Sequence, residues 1–222
     1  MLKPLRKITR NELKRDPLLD TLDKIESGFE NNKKTVMNVG LLIIAFVVGI
    51  YIYYNNSKQN DLESDSAFGI AMIAYSNADY ESAKFQLETV ISNFNGTDGS
   101  DMAHYFLGKI AFKNNKYDDA KTYLNKYINS ASNPVIACGA IKILHSISSQ
   151  DGNHSESLDI LKKGNKFNLG SASKLELQLL EAFTNIKLND FTNARKNIDD
   201  ILQLKKIPSS VKQKADELNG MM

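Results

Sequence analysis

The sequence predicts an all-α protein with three parts: an N-terminal single transmembrane helix, an α-solenoid of about four helical hairpins, and a C-terminal capping helix. Three observations predict this architecture. A long uncharged apolar segment lies near the N-terminus, a short phrase recurs at a constant spacing, and turn residues cluster between the recurrences. Constant spacing of this kind is typical of solenoids, in which each unit packs only on its neighbours.

The composition excludes several classes of protein. Lys and Arg total 28 and Asp and Glu total 26, so the formal net charge is +2, without the basic excess of a nucleic-acid-binding protein. The single cysteine, Cys138, forms no intrachain disulfide, and no Cys/His cluster has metal-ligand spacing. The glycines of "NGTDGSD" lack the spacing of a phosphate-binding loop. We therefore expect no cofactor, no metal, no nucleic-acid partner and no small-molecule substrate.

Residues 1–34 are predicted to form a cytoplasmic segment that contains a short amphipathic helix. Asp16 is the candidate N-cap, and Pro17 would take the first helical position. The apolar residues that would share one face are Leu18, Leu22, Ile25 and Phe29. Three alternatives stay open: the helix lies along the membrane, it binds a partner, or the segment is only a polar juxtamembrane tail.

Residues 35–57 are predicted to be the transmembrane helix. They contain no charge, and as a helix these 23 positions would span roughly 34 Å, about the thickness of a hydrocarbon core. Tyr51, Tyr53 and Tyr54 stand at one end, where amphipathic rings favour the headgroup region. A buried core helix would usually carry a polar stripe, and a cleaved signal peptide would have a small-x-small site soon afterwards. Neither feature is present, which favours a retained anchor.

The charges that flank this segment predict its orientation. Residues 1–34 contain nine Lys and Arg, whereas Lys58 on the other side is followed by Asp61, Glu63 and Asp65. The positive-inside rule then places the N-terminus in the cytoplasm and residues 58–222 across the membrane. A bacterial inner (cytoplasmic) membrane with a periplasmic domain fits this distribution.

The phrase "NNKYDDAKTYL" at 114–124 is one of four related phrases, each 37 positions after the last. The small residues at its centre are Ala83, Ala120, Ser157 and Ala194. The residues three positions earlier are Tyr80, Tyr117, His154 and Phe191. In each unit we expect two helices and a tight turn, with the aromatic filling the gap between helices and the small residue allowing close approach. The predicted units are about 64–94, 101–130, 134–164 and 174–204, followed by a cap at 209–219.

This pattern resembles the tetratricopeptide repeat, most closely at 103–128. Leu107 and Gly108 occupy the family's Leu-Gly pair, and Tyr117 and Ala120 its second-helix pair. The third and fourth units depart from the pattern, with His145 at a position of small residues and Glu181–Ala182 at the Leu-Gly pair. In this family the first helices line a concave groove. The corresponding positions here are Phe68, Met72, Tyr75, Tyr105, Lys109, Phe112, Lys142, Ser146, Leu179, Phe183 and Ile186.

These groove positions are rich in aromatic and apolar side chains, and the Asn/Lys/Arg clamp that some members use for a peptide carboxylate is absent. Our hypothesis is a groove for extended or partly unfolded apolar polypeptide. The alternative is that neighbouring helices cover much of this surface. We expect no enzyme activity, because His104, His145 and His154 occupy different repeat positions and Cys138 has no base near it in the sequence.

A cytoplasmic segment with flanking lysines, one anchor and a small periplasmic repeat domain together resemble the YfgM-type ancillary subunits of the SecYEG translocon. The resemblance implies a non-enzymatic helper that contacts the Sec translocon, exported polypeptides and periplasmic chaperones. The competing hypothesis is a structural scaffold or adaptor for an envelope complex of the outer-membrane-assembly or cell-division type.

Overall fold

The computed structural model describes residues 33–222, apart from the side chain at position 36; the helix predicted around residues 16–29 lies outside this range. The described range contains nine α-helices and no strand, which confirms the all-α prediction. The helices are α1 (Lys33–Ser76), α2 (Tyr80–Asn93), α3 (Asp98–Lys113), α4 (Tyr117–Ser130), α5 (Pro134–Gln150), α6 (His154–Lys162), α7 (Ser171–Lys187), α8 (Phe191–Leu202) and α9 (Ser209–Asn219). The chain divides into two units, 1–58 and 59–222.

Helix α1 contains both the predicted transmembrane segment and the first helix of the first repeat. The sequence predicts these as separate elements, and the structure joins them. The polar stretch "NNSKQNDLES" at 55–64 contains neither Gly nor Pro, so no residue there ends the helix. The apolar part of α1 is long and apolar enough to cross a membrane, and none of it is buried within the structure.

The four hairpins turn at equivalent positions. Each turn has one residue in the left-handed region, and these four residues are 37 positions apart. In chain order they are Ala78 (φ 60°), Asn115 (57°), Gly152 (72°) and Asn189 (60°). At each turn the next N–H donates back to a carbonyl five residues earlier, which satisfies the last turn of the helix. These donor and acceptor pairs are Asp79 and Ala74, Lys116 and Ala111, Asn153 and Ser148, and Asp190 and Asn185. The backbone therefore repeats with the period of the sequence.

Close approach of two helices occurs where the repeat has its smallest residues. The central small residues Ala83, Ala120, Ser157 and Ala194 are all fully buried. A Cβ added at Gly108 of α3 would lie 2.5 Å from Cγ of Leu124 on α4, so only glycine fits. Of the aromatic residues, Tyr80 and Tyr117 are half-buried, whereas Phe191 is exposed.

A buried polar contact fixes the start of α3 against α1. Ser64 and Thr97 share a hydroxyl hydrogen bond of 2.6 Å. Thr97 also accepts from the N–H of Ser100 at 3.2 Å, as an N-cap does. A Cβ at Gly99 would lie 2.9 Å from the carbonyl oxygen of Ser64. The two helices therefore meet at a point where no larger side chain fits.

Helix α9 closes the C-terminal end of the solenoid, as the sequence predicts. It packs on α7 and α8 through Ala215, which is fully buried. Ala215 belongs to a core cluster with Leu175, Leu179 and Ile198. The rest of α9 is mostly polar and exposed, which is what the terminal element of a solenoid requires.

Candidate protein-binding face

The first helices of successive hairpins lie side by side. Helix α3 contacts α5, and α5 contacts α7. The C-terminal part of α1 packs against α3 through a core that contains Ala71, Ala103 and Leu107. We call α1 from residue 59, α3, α5 and α7 the inner helices. Every predicted groove residue lies on one of them.

Most predicted groove residues retain accessible surface. Lys142 is exposed, and a larger group is half-buried. The half-buried group is Phe68, Met72, Tyr75, Tyr105, Lys109, Phe112, Ser146 and Phe183. Phe112 packs its ring 5.9 Å from that of Tyr117, so it also supports the turn between α3 and α4.

Four aromatic rings meet where α1 lies against α3. The ring centre of Phe106 is 5.7 Å from that of Phe68, 4.9 Å from that of Tyr75 and 5.3 Å from that of Tyr105. The two tyrosines meet Phe106 edge to face, a favourable arrangement of ring quadrupoles. We call Phe68, Tyr75, Tyr105 and Phe106 the aromatic cluster. All four rings are half-buried, so each stabilises its neighbours and still offers apolar surface.

Lys109 places a positive charge beside the aromatic cluster. Its Nζ lies 5.5 Å from the ring centre of Tyr75, 5.6 Å from that of Tyr105 and 5.3 Å from that of Phe106. These distances are within the range of cation–π attraction, about 6 Å. The ion pairs found within residues 33–222 do not include Lys109. The aromatic cluster is therefore an apolar surface with the ammonium group of Lys109 beside three of its rings.

Tyr105 also joins the second unit to the third. A Cβ at Gly139 of α5 would lie 2.9 Å from the Tyr105 hydroxyl, so the glycine allows this ring to lie against α5. On its other side the ring is 5.4 Å from that of Tyr127. Burial raises the pKa of Tyr105. Burial is also the main cause that raises the pKa of Tyr127 to about 12. Both phenols are thus neutral at physiological pH.

A pocket of about 270 Å³ lies between the inner helices and the cap. Lys142 donates to Glu176 at 2.7 Å on its rim, so opposite charges stand beside an apolar floor. The lining residues are Lys142, Glu176, Leu179, Leu180, Phe183, Lys214, Glu217 and Leu218. We call this the C-terminal pocket. It brings three predicted groove residues together with three residues of α9.

Two predicted groove positions in the fourth unit offer little surface. Leu179 is 7% exposed and Ile186 is 9% exposed. Leu179 is covered because α9 packs across α7, and it shares a core cluster with Ala215. Glu176 and Leu180 present the accessible surface of α7 instead, together with Phe183.

Phe106, at the centre of the aromatic cluster, is a residue that sequence reasoning missed. The signal was present in the period of 37. Phe106, Ile143 and Leu180 are one period apart, and all three are half-buried on inner helices. The period therefore indicates a recurring apolar position one residue before the family's Leu107-Gly108 pair and its equivalents.

His104, His145 and Cys138 are buried packing residues. Nδ1 of His104 lies 2.9 Å from the carbonyl oxygen of Ser100, and Nε2 of His145 lies 3.0 Å from Oγ1 of Thr184. Burial lowers the pKa of both imidazoles and raises the pKa of the Cys138 thiol. Within residues 33–222 no three His, Cys, Asp or Glu side chains are grouped as a metal site would require.

The profile of the tetratricopeptide repeat-like domain family matches residues 28–173 of the 222. The chain therefore belongs to this family, which has a protein-interaction fold that is typically non-enzymatic. The matched range includes α1 with its candidate membrane span, and it ends in the first turn of α7. A search of curated proteins gave no significant match.

Proposed function

We propose that this chain is a non-enzymatic, membrane-anchored repeat protein that binds extended or partly unfolded apolar polypeptide on its inner helices. One observation carries the proposal: the aromatic cluster, four half-buried rings on two adjacent inner helices with Lys109 beside them. Aromatic rings supply a large contact area at a low cost in conformational entropy. Such a surface accepts many apolar side chains and needs no fixed hydrogen-bond pattern, which suits an unfolded ligand.

Lys109 adds polarity without demanding one sequence. Its ammonium group attracts acidic side chains and backbone carbonyls of a bound chain, while the rings beside it hold apolar groups. The ligand we expect is an extended segment in which apolar residues alternate with polar ones.

The membrane setting is part of the proposal. Residues 1–34 form the cytoplasmic segment, 35–57 the transmembrane helix and 58–222 the periplasmic domain of a bacterial inner-membrane protein. The excess of Lys and Arg before the apolar segment supports this orientation. The family match begins at residue 28 and so includes the apolar helix, which supports an anchor as part of the shared architecture.

The particular role that we propose is that of an ancillary subunit beside the Sec translocon. The resemblance to the YfgM-type family supports this role, and so does an apolar surface that suits polypeptides before they fold. In this role the periplasmic domain contacts exported chains and passes them to periplasmic chaperones.

The second candidate function is a scaffold for an envelope complex, and the C-terminal pocket favours it. A recess of about 270 Å³ with a Lys142–Glu176 ion pair on its rim suits one defined side chain. A fixed partner would use such a specific pocket, whereas a helper for many exported proteins would use the aromatic cluster.

The proposed binding is tested with the full chain in detergent micelles and a fluorescently labelled, unfolded apolar polypeptide. Phe68→Ala and Tyr75→Ala each remove ring surface, and we expect each to weaken affinity about tenfold, as truncation of an interface anchor does. The matched control is Phe85→Ala, which removes a ring that is 72% exposed on the second helix α2. Far-UV circular dichroism establishes that each variant is folded. Unchanged affinity in both folded variants would exclude the aromatic cluster as the binding surface.

A further inference from the structure

A second recess lies away from the aromatic cluster, between the first turns of α7 and the segment that joins α8 to α9. Its volume is about 870 Å³. The lining residues are Ser171, Ala172, Lys174, Leu175, Gln178, Leu204, Lys205, Lys206, Ile207 and Pro208. We call it the cationic pocket. It shares no residue with the aromatic cluster or with the C-terminal pocket.

The charge of this pocket has one sign. Lys174, Lys205 and Lys206 line it, and no acidic residue is among the lining residues. The three lysines take part in none of the ion pairs found within residues 33–222. Three ammonium groups around one recess create a positive potential that the near-neutral chain as a whole does not have.

The floor of the pocket is apolar. Leu175 is buried and Ile207 is half-buried, whereas Leu204 is 46% exposed. Ala172 and Pro208 complete the apolar lining. An exposed leucine beside lysines gives a ligand both an apolar contact and a charged one, so purely ionic binding would leave the apolar part of the pocket unused.

We propose that the cationic pocket docks an acidic segment of a partner protein that carries a large apolar side chain. The carboxylates of such a segment complement the three lysines, and its apolar side chain covers Leu204 and Ile207. A recess with an apolar floor fits an inserted side chain, whereas contact with an anionic bilayer uses a basic face that lies flat on the surface. The partner is therefore a protein segment, and this docking does not depend on what the aromatic cluster binds.

The test uses the full chain in nanodiscs of neutral phospholipid. The probe is a short labelled peptide of Asp, Glu and Leu, compared with one in which Gln replaces every acid and one in which Ser replaces every Leu. We expect the acidic apolar peptide to bind best, and its affinity to fall as salt rises. Equal binding of all three peptides, or no binding of any, would overturn the proposal.

Two pairs of variants locate the binding. Lys205→Glu with Lys206→Glu should weaken the acidic peptide at least about tenfold. The control, Lys126→Glu with Lys212→Glu, makes the same change of charge at exposed lysines that do not line the pocket, and should have a much smaller effect. Leu204→Ala should also weaken binding, whereas Leu188→Ala, at a comparably exposed leucine elsewhere, should not. If each pocket variant and its control lose the same amount of peptide affinity, the peptide does not bind in the cationic pocket.

Vesicles of anionic phospholipid provide the remaining arm of the test. If the protein in nanodiscs floats with these vesicles, loses this flotation on Lys205→Glu with Lys206→Glu, and binds no peptide, the ligand of the pocket is a membrane surface and the proposal of a protein partner is wrong. Peptide binding without flotation is the expected result.

Discussion

Nε2 of His145 donates a hydrogen bond to Oγ1 of Thr184, 3.0 Å away, and so joins α5 to α7. The Thr184 hydroxyl donates in turn to the carbonyl oxygen of Leu180 at 2.7 Å, which leaves its oxygen free to accept from the imidazole. One period away in either direction stand Gly108 and Ala182. The third unit thus replaces the small residue of the repeat with a buried polar link to its neighbour.

This link predicts a loss of stability in acid. Burial, and secondarily His154, lowers the pKa of His145; burial also lowers the pKa of His104. Below about pH 6.5 the unfolded chain takes up protons that the folded chain resists, so the free energy of unfolding falls as the pH drops. Well above that pH these groups are neutral in both states and contribute no slope. Denaturation of the full chain in detergent between about pH 7.5 and about pH 5 measures the effect.

The variant His104→Gln with His145→Gln isolates the contribution of the two imidazoles, because carboxylates also titrate in acid. The double variant should lose less stability between neutral and acidic pH than the parent does. The same loss in both chains would show that neither imidazole resists protonation.

The turn residue Ala78 predicts a stabilising substitution. Its φ of 60° is in the left-handed region, which costs an alanine roughly 1 kcal/mol relative to glycine. We therefore expect Ala78→Gly to raise the free energy of unfolding by up to about 1 kcal/mol. Ala74→Gly, four residues earlier within α1, should lower it by a similar amount because glycine is unfavourable in a helix. Thermal unfolding of both variants is the measurement, and a destabilised Ala78→Gly would contradict the strain.

Two helical glycines predict opposite effects of the same substitution. Gly108→Ala places a Cβ 2.5 Å from Cγ of Leu124 and should cost about 1–3 kcal/mol of stability through overpacking. Gly69→Ala meets no atom within 4 Å and should stabilise α1 by about 0.5–1 kcal/mol. Chemical denaturation of the two variants compares them directly. Similar effects of the same sign would show that α3 and α4 are not in close contact at Gly108.

The proposed orientation predicts which ends of the chain react with a membrane-impermeant maleimide. Cys138 is the single cysteine of the chain, and its thiol is buried with a raised pKa, so it reacts poorly. The substitution Cys138→Ala removes it and gives a cysteine-free background. A cysteine at the exposed Ser209 should react in cells with a permeabilised outer membrane, and one at Ser27 only after lysis. The reverse pattern would place the repeat domain in the cytoplasm.

The sequence predicted the repeat and its turns because a helical hairpin requires particular residues at particular places. A small residue is required where helices touch, and a residue that tolerates positive φ is favoured at each turn, with Ala78 at the first turn as the exception. These requirements recur with the period of 37, from Ala83 to Ala194 and from Asn115 to Asn189. The C-terminal cap was predictable for a similar reason, since Val211, Ala215 and Leu218 recur at helical spacing and pack in one core cluster.

The candidate site was less predictable because exposure depends on contacts between distant segments. Leu179 stands at a groove position of the repeat, yet α9 covers it. Phe106 became visible as the centre of the aromatic cluster only once α1 and α3 were placed side by side. The continuity of α1 was also missed, because a change from apolar to polar composition at residues 55–64 does not by itself end a helix.

Site-specific photocrosslinking in native membranes tests the central claim, that the inner helices bind exported polypeptide. A photoreactive side chain at the half-buried Met72, beside the aromatic cluster, should crosslink to newly exported chains, and the products should disappear when export is blocked. The same side chain at Phe85 on α2 should give few such products. Equal crosslinking at both positions would contradict this claim. So would products from Met72 that are a fixed set of envelope proteins and that persist when export stops.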